Sequence, residues 1–103
     1  MNAGSNVRRV HFVGTSGIAR VAADFGMVVS GSDMATSTYT DQLVAAGIRV
    51  FVGHDAANVD PACDVVVAST AVPDTNPEVM RARELGIPVW QRAHMLAELG
   101  RGK

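Results

Sequence analysis

The stretch Asp64-Val65-Val66-Val67-Ala68-Ser69-Thr70-Ala71-Val72-Pro73, followed closely by Asn76-Pro77-Glu78, decides how this chain folds. An unbroken apolar, β-branched run with no polar alternation predicts a strand buried on both faces, the signature of a central strand in a parallel sheet. Asn76-Pro77-Glu78 then opens a helix. Asn caps well, Pro is tolerated at the first helical position, and an acid suits the positive end of the helix dipole. Val79, Ala82 and Leu85 continue it, and Gly86 follows.

Working outward, four more apolar runs predict strands: Arg9 to Val13, Met27 to Gly31, Arg49 to Val52, and Pro88 to Trp90, whose proline suits a strand start or an edge. Between the first two, Ile18, Val21, Ala22 and Phe25 recur at helical spacing, with Gly26 as the stop. Thr38-Tyr39-Thr40-Asp41 reads as a capped helix start, with Tyr39, Leu43 and Ala46 on one face and Gly47 at its end. The segment from Gly53 to Pro61 has no clear period and reads as loop; a last helix runs from His94 to Leu99. Strand–helix alternation of this kind predicts an α/β, Rossmann-like fold: a five-stranded, mostly parallel sheet with helices on both faces and right-handed crossovers.

The chain has 103 residues, 48% hydrophobic and 18% charged, which suits one globular domain with its own core. A net charge of −1 with mixed signs argues against a broad nucleic-acid surface. No apolar run approaches the length of a membrane span. Residues 1–6, Met-Asn-Ala-Gly-Ser-Asn, lack the pattern of a signal peptide and read as a flexible leader or tag remnant before a domain over residues 7–103. The single cysteine, Cys63, excludes an internal disulfide and suits a reducing cytosol, so a cytoplasmic location is expected. The end of the chain, just after a helix and Arg101-Gly102-Lys103, reads as the boundary of a domain within something longer.

In open α/β sheets ligands bind beyond the carboxyl ends of the strands, where the strand order reverses. Residues ending each strand are therefore the candidates. Gly14-Thr15-Ser16-Gly17 turns strand one into a helix whose N–H groups and dipole could hold phosphate. It is only G-x-x-G, and a tight turn with Ser16 as helix cap explains it equally well. Asp33 lies 19 residues after Gly14, where dinucleotide folds place an acid on a ribose hydroxyl, or it is a solvated turn acid. His54 faces either a ligand or a loop carbonyl, the latter favoured on local grounds. Ser69 and Thr70 bring hydroxyls to the crevice mouth or simply make the turn. His11, inside strand one, reads as structural; His94 receives no role. Cys63 has no companion His or Cys for a metal or a catalytic thiol. No Ser–His–Asp set, H-E-x-x-H or G-x-x-x-x-G-K-[ST] is present, so the chain offers a binding crevice without recognisable catalytic machinery.

The segments RRVHFVG, SGIARVAADFG, VVSGSD, GIRVFVGHDAANV and DVVVASTAVPDTNPEVMRARELGIPVWQRAHMLAELGRGK together resemble the N-terminal domain of the Mur ligases, and among them the alanine-adding ligases of peptidoglycan synthesis. The resemblance runs from about Val7 to Lys103. It implies a domain that holds the UDP part of UDP-N-acetylmuramate, while domains beyond this chain supply ATP, magnesium and the amino acid. The reaction implied for the complete enzyme is an acyl phosphate on the muramoyl carboxylate, then attack by the L-alanine amine. Cell-wall biogenesis, cell shape and cell division would be the processes served. It further implies Gly14, Thr15, Ser16 and Gly17 at the diphosphate, Asp33 and His54 at the uridine, and Ser69, Thr70 and Ala71 along the crevice. No catalytic residue, metal or cofactor is implied within this domain, and no ligase activity is expected of it alone.

At one place the chain departs from that family. The Mur ligases read G-I-G-G-A-G-M-S-G where this chain reads G-T-S-G, so about five residues of a phosphate-binding turn are missing. Either the turn is shortened, or part of a disorder-prone loop is absent from the recorded sequence; the second is favoured. A real shortening would shrink the nest of N–H donors and weaken diphosphate binding. Three alternatives stand beside the leading reading: the related ligase that recycles muropeptides, an NAD-type dinucleotide-binding domain, and a structural domain that binds nothing.

Overall fold

The structure, a computed structural model, describes residues 7–14, 17–35 and 37–101. Among them five strands form one parallel sheet: β1 (Arg9–Val13), β2 (Val28–Asp33), β3 (Arg49–Val52), β4 (Val65–Ala68) and β5 (Val89–Trp90), in the order β3-β2-β1-β4-β5. The expected fold class holds. β1 lies between β2 and β4, with Val13 opposite both Ser32 and Ala68, so their carboxyl ends finish level. The strand order reverses between β1 and β4, which makes that junction the switch point of the sheet.

Four helices cover the sheet: α1 (Gly17–Asp24), α2 (Thr38–Ala45), α3 (Pro77–Glu84) and α4 (Arg92–Arg101). On one face Val10, Phe12 and Val29 of the strands meet Ala19 and Ala22 of α1, Leu43 of α2, and Met95 and Leu99 of α4. On the other, Val13, Val66 and Ala68 meet Val79 and Ala82 of α3, together with Val59 and Cys63 from the preceding loop. Val65, Val66 and Val67 are all essentially inaccessible, as an unalternating strand between two helical layers must be.

Several local expectations shift. β2 runs on through Ser32 and Asp33, because both remain in register with Phe51 and Val52 of β3. The buried stripe of α1 is Ile18, Ala19, Ala22 and Ala23; Val21 and Phe25, expected to face the core, are 39% and 44% exposed. Small residues let the helix lie close on the sheet. α2 is capped by Ser37, whose side chain accepts from Thr40 N–H while Thr40 Oγ1 accepts from Ser37 N–H, a reciprocal box one residue earlier than expected. Its inward residues are Thr40 and Leu43; Ala46 is exposed, and the Tyr39 side chain lies outside the described residues. The segment from Gly53 to Pro61 contains a short 3-10 turn, Ala56–Asn58, capped by Asp55. The last helix begins at Arg92, two residues before His94. No helix among the described residues is long and apolar enough to cross a membrane.

Candidate functional site

The carboxyl edge of the sheet collects the candidate residues. Gly14 leaves β1 at φ +83°, and its N–H donates to the Ser32 carbonyl at 2.8 Å. Gly53 leaves β3 at φ +87°, and its N–H donates to the Asp33 carbonyl at 2.6 Å. Both turns need a backbone region that residues with a Cβ avoid. Gly14, Asp33, Gly53 and His54 therefore follow one another across the edge, with Ser69, Thr70 and Ala71 continuing from the end of β4. Ser69 is half-buried; Thr70 and Ala71 are exposed. Asp33 Oδ1 accepts from Met34 N–H at 2.8 Å. Gly17 opens α1, while Thr15 and Ser16 lie outside the described residues.

Hollows open along this edge. A small one of about 100 Å³ sits at the switch point among Phe12, Gly14, Val67, Ser69 and Arg92. Arg92, from the first turn of α4, makes no ion pair among the described residues and shares this hollow with Gly14. A larger cleft of about 380 Å³ lies between β4 and β5, with Ser69, Thr70, Asp74, Arg83 and Trp90 on its walls. It falls within the volume range of small-molecule sites. Trp90 stacks on His94, ring centres 4.0 Å apart. An apolar hollow of about 110 Å³ near Val28, Arg49 and Phe51 lies away from the carboxyl ends and is too small for a nucleotide.

Beneath the edge, on the α3 side, sits a feature that the sequence reading did not single out as part of the site. Glu78, at the start of α3, is fully buried. Its two oxygens accept four hydrogen bonds. Oε1 takes His11 Nε2–H at 2.5 Å and the Ser32 hydroxyl at 2.8 Å. Oε2 takes Asn58 Nδ2–H at 2.9 Å and Asp55 N–H at 3.1 Å. Burial by itself would raise the pKa of this carboxyl, but the hydrogen bonds from His11, Asn58 and Ser32 outweigh it and lower it to about 2. The group is a carboxylate at any physiological pH. Asn76 Oδ1 accepts from Glu78 N–H at 2.9 Å, which caps α3 and fixes where the carboxylate starts. His54, 22% exposed, places Nδ1 2.8 Å from Ser32 Oγ.

The stretch Gly53-His54-Asp55-Ala56-Ala57-Asn58 is thus a wrap around one buried anion. Among the described residues His54 bonds the Ser32 side chain and no loop carbonyl, which corrects the local expectation for it. His11 is structural, as expected, with Ser30 Oγ 2.7 Å from its Nδ1. The missed signal lies in periodicity: Glu78 shares the i, i+4, i+7 face with Ala82 and Leu85, so an acid stands on an apolar stripe. Cys63 is buried, donates to the Val65 carbonyl at 3.1 Å, and burial pushes its thiol pKa up, which makes it a poor nucleophile. Among the described residues no three His, Cys, Asp or Glu side chains are placed to hold a metal ion.

Residues 9–103 match the family model described as "Mur ligase family, catalytic domain". The UDP-N-acetylmuramate–L-alanine ligase of Burkholderia cenocepacia is 52% identical over 102 aligned positions, which cover 94% of this chain and 22% of that protein. That of Acidithiobacillus ferrooxidans is 53% identical with the same coverage. Among solved structures, the UDP-N-acetylmuramate–alanine ligase of Thermotoga maritima superposes with a TM-score of 0.79 at 35% identity, over 85% of this chain and 21% of that one. The chain spans about a fifth of the length of these relatives. The 102 aligned positions against 94% of 103 residues leave about five positions of the Burkholderia protein without a counterpart, the size of the missing turn. The sequence runs unbroken from Gly14 to Gly17, so the turn is short in the chain itself, contrary to the expectation that residues of it go unrecorded. The chain belongs to the Mur ligase family.

Proposed function

We propose that this chain is the nucleotide-sugar-binding, N-terminal domain of a ligase that adds L-alanine to UDP-N-acetylmuramate in peptidoglycan precursor synthesis. The observation that carries the reading is 52% identity to such a ligase across 94% of the chain. Geometry supports it: Gly14, Asp33, His54 and the Ser69–Ala71 turn all lie along one carboxyl edge, with Gly14 and Ser69 at the switch point. In this reading Gly14, Thr15, Ser16 and Gly17 meet the diphosphate, with Arg92 as a neighbouring cation. Asp33 and His54 meet the uridine. Ser69, Thr70 and Ala71 border the sugar.

The domain binds and orients, and the bond-forming chemistry belongs to the remaining four-fifths of such an enzyme. Among the described residues no three His, Cys, Asp or Glu side chains gather to hold magnesium, and the chain has no G-x-x-x-x-G-K-[ST] loop for ATP. No step through either is assigned to it, and the chain by itself forms no amide. A cytoplasmic location fits this reading, since the single Cys63 suits a reducing compartment. The short turn presents fewer N–H donors than its relatives' turns, which predicts weaker diphosphate binding.

Calorimetric titration with UDP-N-acetylmuramate, UDP and NAD tests the reading. Binding of both uridine nucleotides and none of NAD is expected. A response to NAD alone, or to none of the three, would contradict it.

A further inference from the structure

The buried carboxylate has a consequence for the chemistry of the exposed edge. Ionised Glu78 can only accept hydrogen bonds. Ser32 Oγ lies 2.8 Å from Glu78 Oε1, and that approach requires the single hydroxyl proton to sit between the two oxygens. With its proton committed there, Ser32 Oγ has only lone pairs left for His54 Nδ1, 2.8 Å away. Nδ1 must therefore carry the hydrogen. A neutral imidazole protonated at Nδ1 has a bare Nε2. No partner for Nε2 exists among the described residues. His54 remains 22% exposed at the carboxyl edge, while Ser32 and Glu78 are sealed from solvent.

We infer that Glu78 and Ser32 are positioning residues that lock His54 in the Nδ1–H form, so that it presents Nε2 as a hydrogen-bond acceptor to a donor group of the bound ligand. The inference deepens the nucleotide-sugar reading and, for the ligand half, rests on it. In a uridine the available donors are the imide N–H and the ribose hydroxyls; a bare phosphate oxygen at this position would meet a lone pair. The arrangement matches the way buried carboxylates fix ring orientation and tautomer in histidines that ligate metals, with an organic donor in place of the metal. Asn58 and Asp55 N–H complete the lock. They hold Oε2, which also lies 3.5 Å from His54 Nδ1 and so favours a hydrogen on that nitrogen.

Nitrogen-15 NMR of the imidazole rings in the chain, at about pH 8 where ordinary imidazoles are neutral, reads the tautomer directly. The lock predicts a non-protonated Nε2 and a protonated Nδ1 for His54, with no ligand present. A protonated Nε2 there overturns it. Ser32→Ala should move the His54 resonances toward a tautomer mixture and weaken UDP binding about fivefold to tenfold, the size of one well-placed hydrogen bond. Ser32→Thr, which keeps the hydroxyl, should restore both. Glu78→Gln should shift the same resonances without altering either Ser32 or His54. A folded Ser32→Ala chain with unchanged His54 resonances and unchanged UDP affinity overturns the proposal. So does UDP binding that moves the Gly14 amide and leaves His54 Nε2 untouched. If UDP fails to bind the unmodified chain, the nucleotide-sugar reading and the ligand half fall together, and the ring spectrum alone decides the lock.

Discussion

At the scale of single residues, Glu78 carries the largest consequence. A buried carboxylate with four donors stabilises the fold only while it is ionised. Its pKa falls from 4.5 to about 2 on folding, so the contribution is complete above about 4.5 and is lost as pH drops toward 2. By the cost of a pKa unit this is roughly 3 kcal/mol. Urea unfolding between pH 6 and about pH 2.5 should show that loss in the unmodified chain and a much flatter profile in Glu78→Gln. Glu78→Ala should cost about 3–5 kcal/mol at neutral pH, because His11, Ser32 and Asn58 lose their acceptor inside the protein. Gly53 makes a smaller and cleaner case. At φ +87° with no atom within 4 Å of an added Cβ, Gly53→Ala meets no clash and should cost only the backbone term, about 1–2 kcal/mol. A shifted denaturant midpoint with an unchanged slope would show it.

At the scale of elements, strand identity was legible and side-chain contacts across elements were not. Val65 to Ala68 announced a two-face-buried strand because nothing in it alternates, and Asn76-Pro77 announced α3 because capping is local chemistry. The stripe of α1 was misjudged because Val21 and Phe25 satisfy the helical period equally well; the close approach to the sheet selects alanines instead. The Glu78 cluster joins His11, Ser32, Asn58 and Glu78, spread over 67 positions of sequence, and no local pattern ties them together. Only the misplaced acid on an apolar face hinted at it. α4 offers a prediction at this level. Met95 is fully buried against the sheet and anchors the helix that carries Arg92 to the switch point. Met95→Ala should destabilise the chain by about 2–5 kcal/mol in urea unfolding.

At the scale of the molecule, two helical layers bury the sheet and leave its carboxyl edge open. The order β3-β2-β1-β4-β5 brings Gly14, Asp33, His54 and Ser69, four positions 55 residues apart at their extremes, to that one edge. The sequence marked these positions because strand ends are where such sheets bind ligands; the family resemblance supplied the ligand, which no spacing could. What sets this chain apart is the short turn between Gly14 and Gly17, so everything proposed for the domain depends on its competence to bind. Amide NMR of the chain titrated with UDP-N-acetylmuramate tests it most directly. Saturable shifts clustered at Gly14, Asp33, His54 and Ser69 are expected. Shifts confined to residues away from the carboxyl edge, or no shifts at a concentration that saturates a full-length relative, would contradict it.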